Sequence, residues 1–264
     1  NSGGETCGGG LHMIDVRTPK QPTFNGCFAD TNTGNAGTGY SHDAMCIVYD
    51  GPDAEHTGKE VCFGSNENAL AISDVSDKDN PQPISAADYP NVGFNKKWIV
   101  VTVNMFLVSD NSWDSSYFYI FDKAALYQNL PTSHTVIFSG GDGSTHVPAL
   151  TYDFSAEELY FLQTWSPGSK VLRLYELAGD VGSEVITPLG FPEGPIPWTH
   201  TQGPADFAPQ RPGCSAACEP NCKIQTNDSR IQNVIYRDGS LWATQTVFLD
   251  TPTRSSVQWW EIDP

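Results

Sequence analysis

Hydrophobic and aromatic residues occur along this chain in short runs, each bounded by glycine, proline, asparagine or aspartate. The clearest runs lie at 96–106, 115–126, 156–165 and 170–179. None of them keeps the 3.6-residue apolar period of a long amphipathic helix. Short apolar runs between turn-forming residues are typical of β-strands. The pattern therefore predicts an all-β protein with antiparallel strands and little helix.

One stretch of the sequence is repeated. Residues 11–24 (LHMIDVRTPKQPTF) align with residues 70–84 (LAISDVSDKDNPQPI). The matched positions are Leu11 with Leu70, Asp15 with Asp74, Val16 with Val75 and Pro22 with Pro81. Later segments repeat a strand, loop and strand in units of roughly 40 to 60 residues, which predicts a β-propeller with antiparallel blades.

With repeats of this length, about five units can be recognised in the chain. We expect residues 1–264 to form a single propeller domain. Because propellers avoid an unpaired edge, the two ends of the chain either pair to close a blade or belong to a larger ring. A β-sandwich is the alternative fold.

Acidic residues recur at the ends of the predicted strands. They are Asp15, Asp74, Asp122, Glu176 and Glu261. The whole chain carries 31 acidic and 14 basic residues, for a net charge of −17. A field of this sign repels nucleic acid and anionic membrane surfaces, so we expect neither as a partner. The alternative interpretation is that the acidic surface contributes only to solubility.

The ends and the hydrophobic segments predict how the chain is targeted. A membrane-spanning helix needs a run of about 18 apolar residues, and the sequence contains none. Residues 1–10 (NSGGETCGGG) have neither the basic nor the apolar region of a signal peptide. The sequence is therefore expected to be a mature or trimmed form whose leader and flanks are missing, and the cysteines carry the prediction of export.

The cysteines indicate an oxidising compartment. Cys46 and Cys62 bracket two predicted strands joined by a polar turn, so facing strands place them within disulfide reach. Cys7 and Cys27 bracket the first copy of the repeat and form the next predicted pair. Disulfides predict an extracellular or cell-surface location.

Three further cysteines, Cys214, Cys218 and Cys222, bring the total to 7. Their spacing does not match the usual zinc patterns. Three cysteines allow one bridge and one leftover thiol, and the sequence leaves their pairing open. The odd total leaves two interpretations open, a free thiol or a partner cysteine outside the chain.

Two parts of the sequence resemble known groups of propellers. Residues of about 5–86, with "CGGGLHMIDV", "GYSHDA" and "CFGSNE", resemble the secreted bacterial choice-of-anchor B proteins with LVIVD-type repeats. Residues of about 88–264, with "ADFAPQ" and "RIQNVIYRDGSLWATQTVFL", resemble a second group of exported bacterial β-propellers. Both resemblances imply export and a propeller fold, and neither brings a catalytic motif.

The resemblance changes near residues 86–95. The first family implies a "THQGW"-like step after "YPNVG", where this chain has "FNKKW". Two interpretations stay open, a natural mixed propeller and a composite of related modules.

The residues before the innermost strand of each blade are expected to meet at the mouth of the central channel. In successive units they are expected to include His42, Asp43, His146 and Arg230, together with Asn95 if the strand that follows it is innermost. Such a ring would hold an anionic or sugar-like ligand, or a metal through His42, Asp43 and His146. The competing interpretation is structural, with each side chain bonded to nearby backbone carbonyls.

Two weaker patterns indicate ligands. Asp30, Asn32 and Asn35 lie on a glycine-rich loop and suit calcium, although a plain turn explains the same residues. Trp113 and Trp198 lie in predicted loops, where an exposed indole can stack on a sugar. The other five tryptophans lie in predicted strands and are expected in the core, namely Trp98, Trp165, Trp242, Trp259 and Trp260.

The sequence favours a binding or surface-assembly module for protein or glycan ligands. It contains no nucleophile elbow, zinc-protease motif, phosphate loop or dinucleotide motif, and it gives no catalytic residue to propose. The alternative is a polysaccharide-active hydrolase or lyase at the channel mouth, using His42, His146 and Arg230. The fold alone does not decide between them.

Overall fold

The computed structural model describes most of the chain. The described residues are 6–34, 37–50, 53–66, 69–107, 112–128, 130, 134–139, 143–166, 170–199, 207–209, 223–224, 226–249 and 254–264. They fall into two compact units. Unit 1 comprises Asn1–Pro90 and Val103–Ser115, and unit 2 comprises Asn91–Thr102 and Ser116–Pro264.

Strands dominate both units, which confirms the all-β expectation. The first nine are β1 (Leu11–Asp15), β2 (Thr23–Phe28), β3 (Ser41–Val48), β4 (Glu60–Asn66), β5 (Leu70–Asp74), β6 (Gln82–Phe94), β7 (Trp98–Phe106), β8 (Trp113–Asp122) and β9 (His134–Phe138). The others are β10 (Val147–Thr151), β11 (Leu159–Ser166), β12 (Val171–Ala178), β13 (Val185–Gly190), β14 (Ala208–Pro209), β15 (Lys223–Ile224), β16 (Ile231–Arg237), β17 (Ser240–Leu249) and β18 (Arg254–Ile262). The helical elements of the described residues are a 3-10 turn (Thr6–Gly9) and α1 (Lys123–Tyr127).

Unit 1 is built from neighbouring antiparallel strands. β1 and β2 form a two-stranded sheet. β3, β4, β5 and the first half of β6 pair in sequence order, each antiparallel to the next. Short connections between consecutive strands favour this up-and-down order.

Unit 2 contains two further antiparallel sheets in sequence order. β10, β11, β12 and β13 form one, and β16, β17 and β18 form the other. The first strands of these sheets, β10 and β16, run side by side in parallel, with Ala149 opposite Val234. The end of β6 pairs with β10 in the same parallel sense, through Phe94 and Leu150.

The two units have different hydrophobic cores. In unit 2 large aromatic and aliphatic side chains form two buried clusters, one around Trp98, Phe118 and Phe161 and one around Trp198 and Trp260. In the described part of unit 1 the buried apolar side chains are small, namely Val61, Cys62, Ala71, Val75, Ala87 and Val103. Because burial of apolar area is the main stabilising term, unit 1 gains less from its core than unit 2 does.

Both predicted disulfides are confirmed, and both lie in unit 1. Cys7 is bonded to Cys27, and Cys46 is bonded to Cys62 directly across the β3–β4 pair. Cys214, Cys218 and Cys222 lie outside the described residues. Two disulfides fit an extracellular or secreted protein. Among the helices of the described residues, none has the length and apolarity needed to cross a bilayer.

Three of the recurring acids have a shared structural role. Asp15 at the end of β1 accepts a hydrogen bond from the backbone amide of Arg17, and Asp74 at the end of β5 accepts one from Ser76. Asp122 at the end of β8 caps α1 by accepting from two backbone amides. Each carboxylate stabilises the turn or helix start that follows its strand, which explains why aspartate recurs at these positions.

Candidate functional site

The predicted channel-mouth residues of unit 2 have separate roles, beginning with Asn95. This side chain is fully buried. Its Nδ2 donates to the carbonyl oxygens of Glu157 and Glu158, each at 3.1 Å. Its Oδ1 accepts from the amides of Lys97 at 2.8 Å and Trp98 at 3.0 Å. Asn95 therefore ties the start of β7 to the segment before β11, as the structural interpretation expects.

His146 lies in the aromatic core of unit 2. Its ring packs between Phe118 and Tyr175, at centroid distances of 4.9 and 5.0 Å. Its carbonyl oxygen accepts a hydrogen bond from Thr102 Oγ1 at 2.6 Å. With only 1% of its surface exposed, His146 contributes to packing and does not reach solvent.

Arg230 is engaged by a neighbouring carboxylate. Its Nε donates to both oxygens of Asp228, and its terminal nitrogen lies 2.7 Å from Asp228 Oδ2. This two-pronged pair engages the Arg230 guanidinium within the chain. Asn95, His146 and Arg230 thus serve local structure in unit 2.

His42 and Asp43 are placed differently, because both line a cavity in unit 1. The cavity has a volume of about 400 Å³. Its walls come from β1 and the residue before it, from β3 and from β4. They are formed by Gly10, Leu11, His12, Met13, Ser41, His42, Asp43, Ala44, Cys46 and Cys62. Two of the five predicted site residues therefore border a space large enough for a small ligand.

The described residues give no support to the predicted metal sites. No group of three or more histidine, cysteine, aspartate or glutamate side chains suited to a metal occurs in the part of the chain that the structure describes. In the proposed calcium loop, Asp30 Oδ1 accepts from the amide of Asn32 at 3.1 Å, and the Asp30 carbonyl accepts from Thr33. That geometry is a plain turn. Asn35 lies outside the described residues.

The two tryptophans predicted to contact sugars differ in exposure. Trp113, at the start of β8, is 42% exposed. Trp198 is 2% exposed and packs against Trp260 with a centroid distance of 5.8 Å. The expectation of an exposed Trp198 is therefore wrong. Its proline-rich segment runs over the core and is held to β17 by hydrogen bonds from Thr199 to the Phe248 carbonyl.

The opposite correction applies to the tryptophans expected in the core. Trp98 and Trp260 are buried, but Trp165, Trp242 and Trp259 are exposed by 39%, 41% and 64%. The prediction was wrong for these three. Trp242 and Trp259 lie on the same side of the β16–β18 sheet.

Strand register places these two indoles together. Trp242 of β17 is opposite Glu261 of β18, and Thr244 is opposite Trp259, so the two tryptophans are diagonal neighbours. Their rings are nearly parallel, with an interplanar angle of 13° and a centroid distance of 6.3 Å. We call this surface the tryptophan face, and it consists of Asn233, Ile235, Trp242, Thr244, Val257, Trp259 and Glu261.

Buried side chains on the opposite side of the sheet support the tryptophan face. Along β17, Leu241, Ala243 and Val247 alternate with the exposed positions and are buried in the unit 2 core. Trp260 does the same on β18. Because successive side chains of a strand point to opposite faces, the buried set fixes the exposed set. The result is a firm sheet with two large aromatic rings on its solvent side.

Sequence reasoning missed the tryptophan face although a signal was available. The segment 255–264 contains two adjacent tryptophans, Trp259 and Trp260, and adjacent residues of a strand must face opposite sides. At most one of them can lie in a core on one side of the sheet. The assumption that both were buried required cover on both sides of β18, which the described residues do not supply.

Comparison of the chain with models of known families, with curated proteins and with solved structures found no match.

Proposed function

We propose that this protein is an extracellular β-propeller module that binds a neutral glycan through the tryptophan face. The observation that carries the proposal is the exposed, nearly parallel pair Trp242 and Trp259. Support for the propeller comes from the antiparallel sheets that follow one another along the chain, and from the parallel contact of the first strands β10 and β16. In a propeller such strands lie next to the central channel.

A glycan fits the chemistry of this surface. An indole ring offers a flat apolar area against which the C–H face of a sugar can pack, and a large exposed aromatic patch marks an interaction site. Asn233, Thr244 and Glu261 lie on the same face and are exposed, so amide, hydroxyl and carboxylate groups are available for sugar hydroxyls.

Charge favours a neutral glycan over an acidic one. The chain has a net charge of −17, and Glu261 adds a carboxylate to the face itself. Polyanionic glycans would be repelled by this field. Binding is also favoured over catalysis at the predicted channel mouth, because in unit 2 His146 is enclosed by aromatic rings and Arg230 is held by Asp228.

Isothermal titration with neutral oligosaccharides tests the proposal. The panel is wild type, Trp242→Ala, Trp259→Ala and the double variant, screened first on a glycan array. Removing one ring is expected to weaken binding about tenfold, equivalent to about 1.4 kcal/mol. The matched control is Trp113→Ala, since Trp113 is 42% exposed and is not part of the face.

Two outcomes would overturn the proposal. One is the absence of any neutral glycan that wild type binds and the double variant does not. The other is self-association, because Ile235 and Val257 also expose apolar surface on this face. Sedimentation velocity that shows a concentration-dependent dimer in wild type and a monomer in the double variant would assign the face to protein contact.

A further inference from the structure

We infer that the cavity in unit 1 is a second ligand site, selective for a small molecule that carries both a protonated amine and hydroxyl groups, such as an amino sugar. This site is separate from the tryptophan face in its residues and in the charge of its ligand. It rests on the cavity's size, on one carboxylate and on two imidazoles.

The cavity has the dimensions of a ligand site. Its volume of about 400 Å³ falls within the range of about 300 to 1,000 Å³ for small-molecule pockets. Leu11, Met13 and the Cys46–Cys62 disulfide supply apolar wall, and His12, His42 and Asp43 supply polar groups. A mainly apolar wall with a few polar groups is the usual composition of such pockets.

A β-bulge places His42 beside Asp43. In the β3–β4 pair Ser41 is opposite Asn66 and Asp43 is opposite Ser65, so His42 is an extra residue on β3. Ser41 Oγ donates to the Asp43 carbonyl oxygen at 2.9 Å, and this hydrogen bond stabilises the bulge. Bulges of this kind redirect side chains and are common beside binding sites.

Asp43 is the charged group of the site. Its Oδ1 accepts a hydrogen bond from the amide of Ala44 at 2.8 Å. Within the described residues Asp43 has no ion-pair partner, and Oδ2 has no hydrogen bond. An exposed carboxylate without a cation, in a chain of net charge −17, favours a cationic ligand.

The two histidines favour hydroxyl groups on the same ligand. A neutral imidazole offers one donor and one acceptor, so His12 and His42 can each bond a hydroxyl in either direction. Divalent metal is a poorer fit, since no cluster of three metal-ligating side chains occurs among the described residues. An amino sugar combines the groups that this site would bind. Its amine would pair with Asp43, its hydroxyls would bond the histidines, and its C–H surface would pack on Leu11 and Met13.

The test compares two disaccharides that differ in charge. The Trp242→Ala, Trp259→Ala double variant, which lacks the proposed neutral-glycan surface, is titrated calorimetrically with a β-1,4-linked glucosamine disaccharide and with its N-acetylated counterpart at low ionic strength, alongside wild type. We expect the amine form to bind at least tenfold more tightly and its affinity to fall when salt is raised. Equal affinity for the two forms, or no binding of the amine form, would overturn the inference.

Variants locate the site and separate it from the tryptophan face. Asp43→Asn keeps an acceptor for the Ala44 amide but removes the charge, so it should abolish the preference for the amine while leaving the melting temperature unchanged. Asp77→Asn is the matched control, because exposed Asp77 also accepts a backbone amide, that of Asp79, in unit 1. The Trp242→Ala, Trp259→Ala double variant should keep full affinity for the amine form. Loss in that variant, or wild-type selectivity in Asp43→Asn, would refute the assignment.

Discussion

Replacement of Trp198 by alanine tests the division of the tryptophans into core and surface. Trp198 is 2% exposed and belongs to the core cluster of the β16–β18 sheet, where its ring meets that of Trp260 edge to face. Truncation of a buried tryptophan costs about 3 to 5 kcal/mol, because the apolar contacts are lost and a cavity remains. For a domain of this size 1 kcal/mol lowers Tm by about 2 to 4 °C, so the expected decrease is about 6 to 20 °C.

Two further variants show whether packing is the cause. Trp198 Nε1 has no hydrogen-bond partner among the described residues, so Trp198→Phe keeps an aromatic ring and loses no hydrogen bond. We expect it to cost about 1 to 2 kcal/mol, less than the alanine variant, because only part of the buried indole is removed. Trp259→Ala removes a ring that is 64% exposed and should change stability by about 0.5 kcal/mol at most.

Thermal unfolding followed by far-ultraviolet circular dichroism measures all three variants without relying on tryptophan fluorescence. The expected order of destabilisation is Trp198→Ala, then Trp198→Phe, then Trp259→Ala. A Tm for Trp198→Ala within a degree or two of wild type would refute the placement of Trp198 in the core. Equal destabilisation by Trp259→Ala would refute the exposed tryptophan face.

Three other predictions follow from the fold. The double variant Cys46→Ala, Cys62→Ala removes a disulfide between cysteines 16 residues apart, and its free energy of unfolding in urea should fall by about 3 kcal/mol. Reductant should then destabilise this variant less than it destabilises wild type. Asn95→Ala leaves buried carbonyl and amide groups unbonded and should cost about 2 to 4 kcal/mol in the same assay, whereas the exposed control Asn233→Ala should cost almost nothing. The Ser76 amide and hydroxyl and then Lys59 lower the pKa of Asp74 from 3.8 to about 2. Since the pKa is lower in the folded state, Asp74 stabilises unit 1 above pH 3.8 and loses that effect as the pH falls towards 2, so the urea midpoints of wild type and Asp74→Asn should differ at pH 6 and converge near pH 2.

The sequence predicted the local features of unit 1 well, because short-range geometry determines them. Cys46 and Cys62 lie on strands joined by one turn, so the hairpin alone brings them together. The repeated aspartates Asp15 and Asp74 mark the ends of β1 and β5 for a similarly local reason, since each bonds an amide two residues ahead. Such features need no knowledge of the rest of the fold.

The sequence could not predict in the same way which face of a strand is covered by the rest of the fold. Trp198 lies in a segment with the composition of an exposed loop, yet that segment crosses the core. Trp242 and Trp259 lie in strands with the composition of a core, yet their side of the sheet is open among the described residues. Hydrophobicity identifies what can be buried, and only the tertiary arrangement decides what is.

The same limit applied to the candidate site. His146 lies immediately before β10, the first strand of its sheet, whereas Asn95 lies between β6 and β7, which pair with each other, so the two positions are not equivalent. Asn95 bonds backbone carbonyls and His146 packs between rings. His42 and Asp43, where β3 carries a bulge, border an open cavity instead.

The location of both disulfides in the unit with the smaller core has a consequence for making the protein. Cys7–Cys27 and Cys46–Cys62 supply to unit 1 a restraint that unit 2 obtains from its buried aromatic rings. Recombinant chain produced in a reducing cytosol would therefore acquire a protease-sensitive amino-terminal portion beside a resistant carboxy-terminal one. Production in a periplasm or an oxidising host is the route to material in which both portions resist digestion.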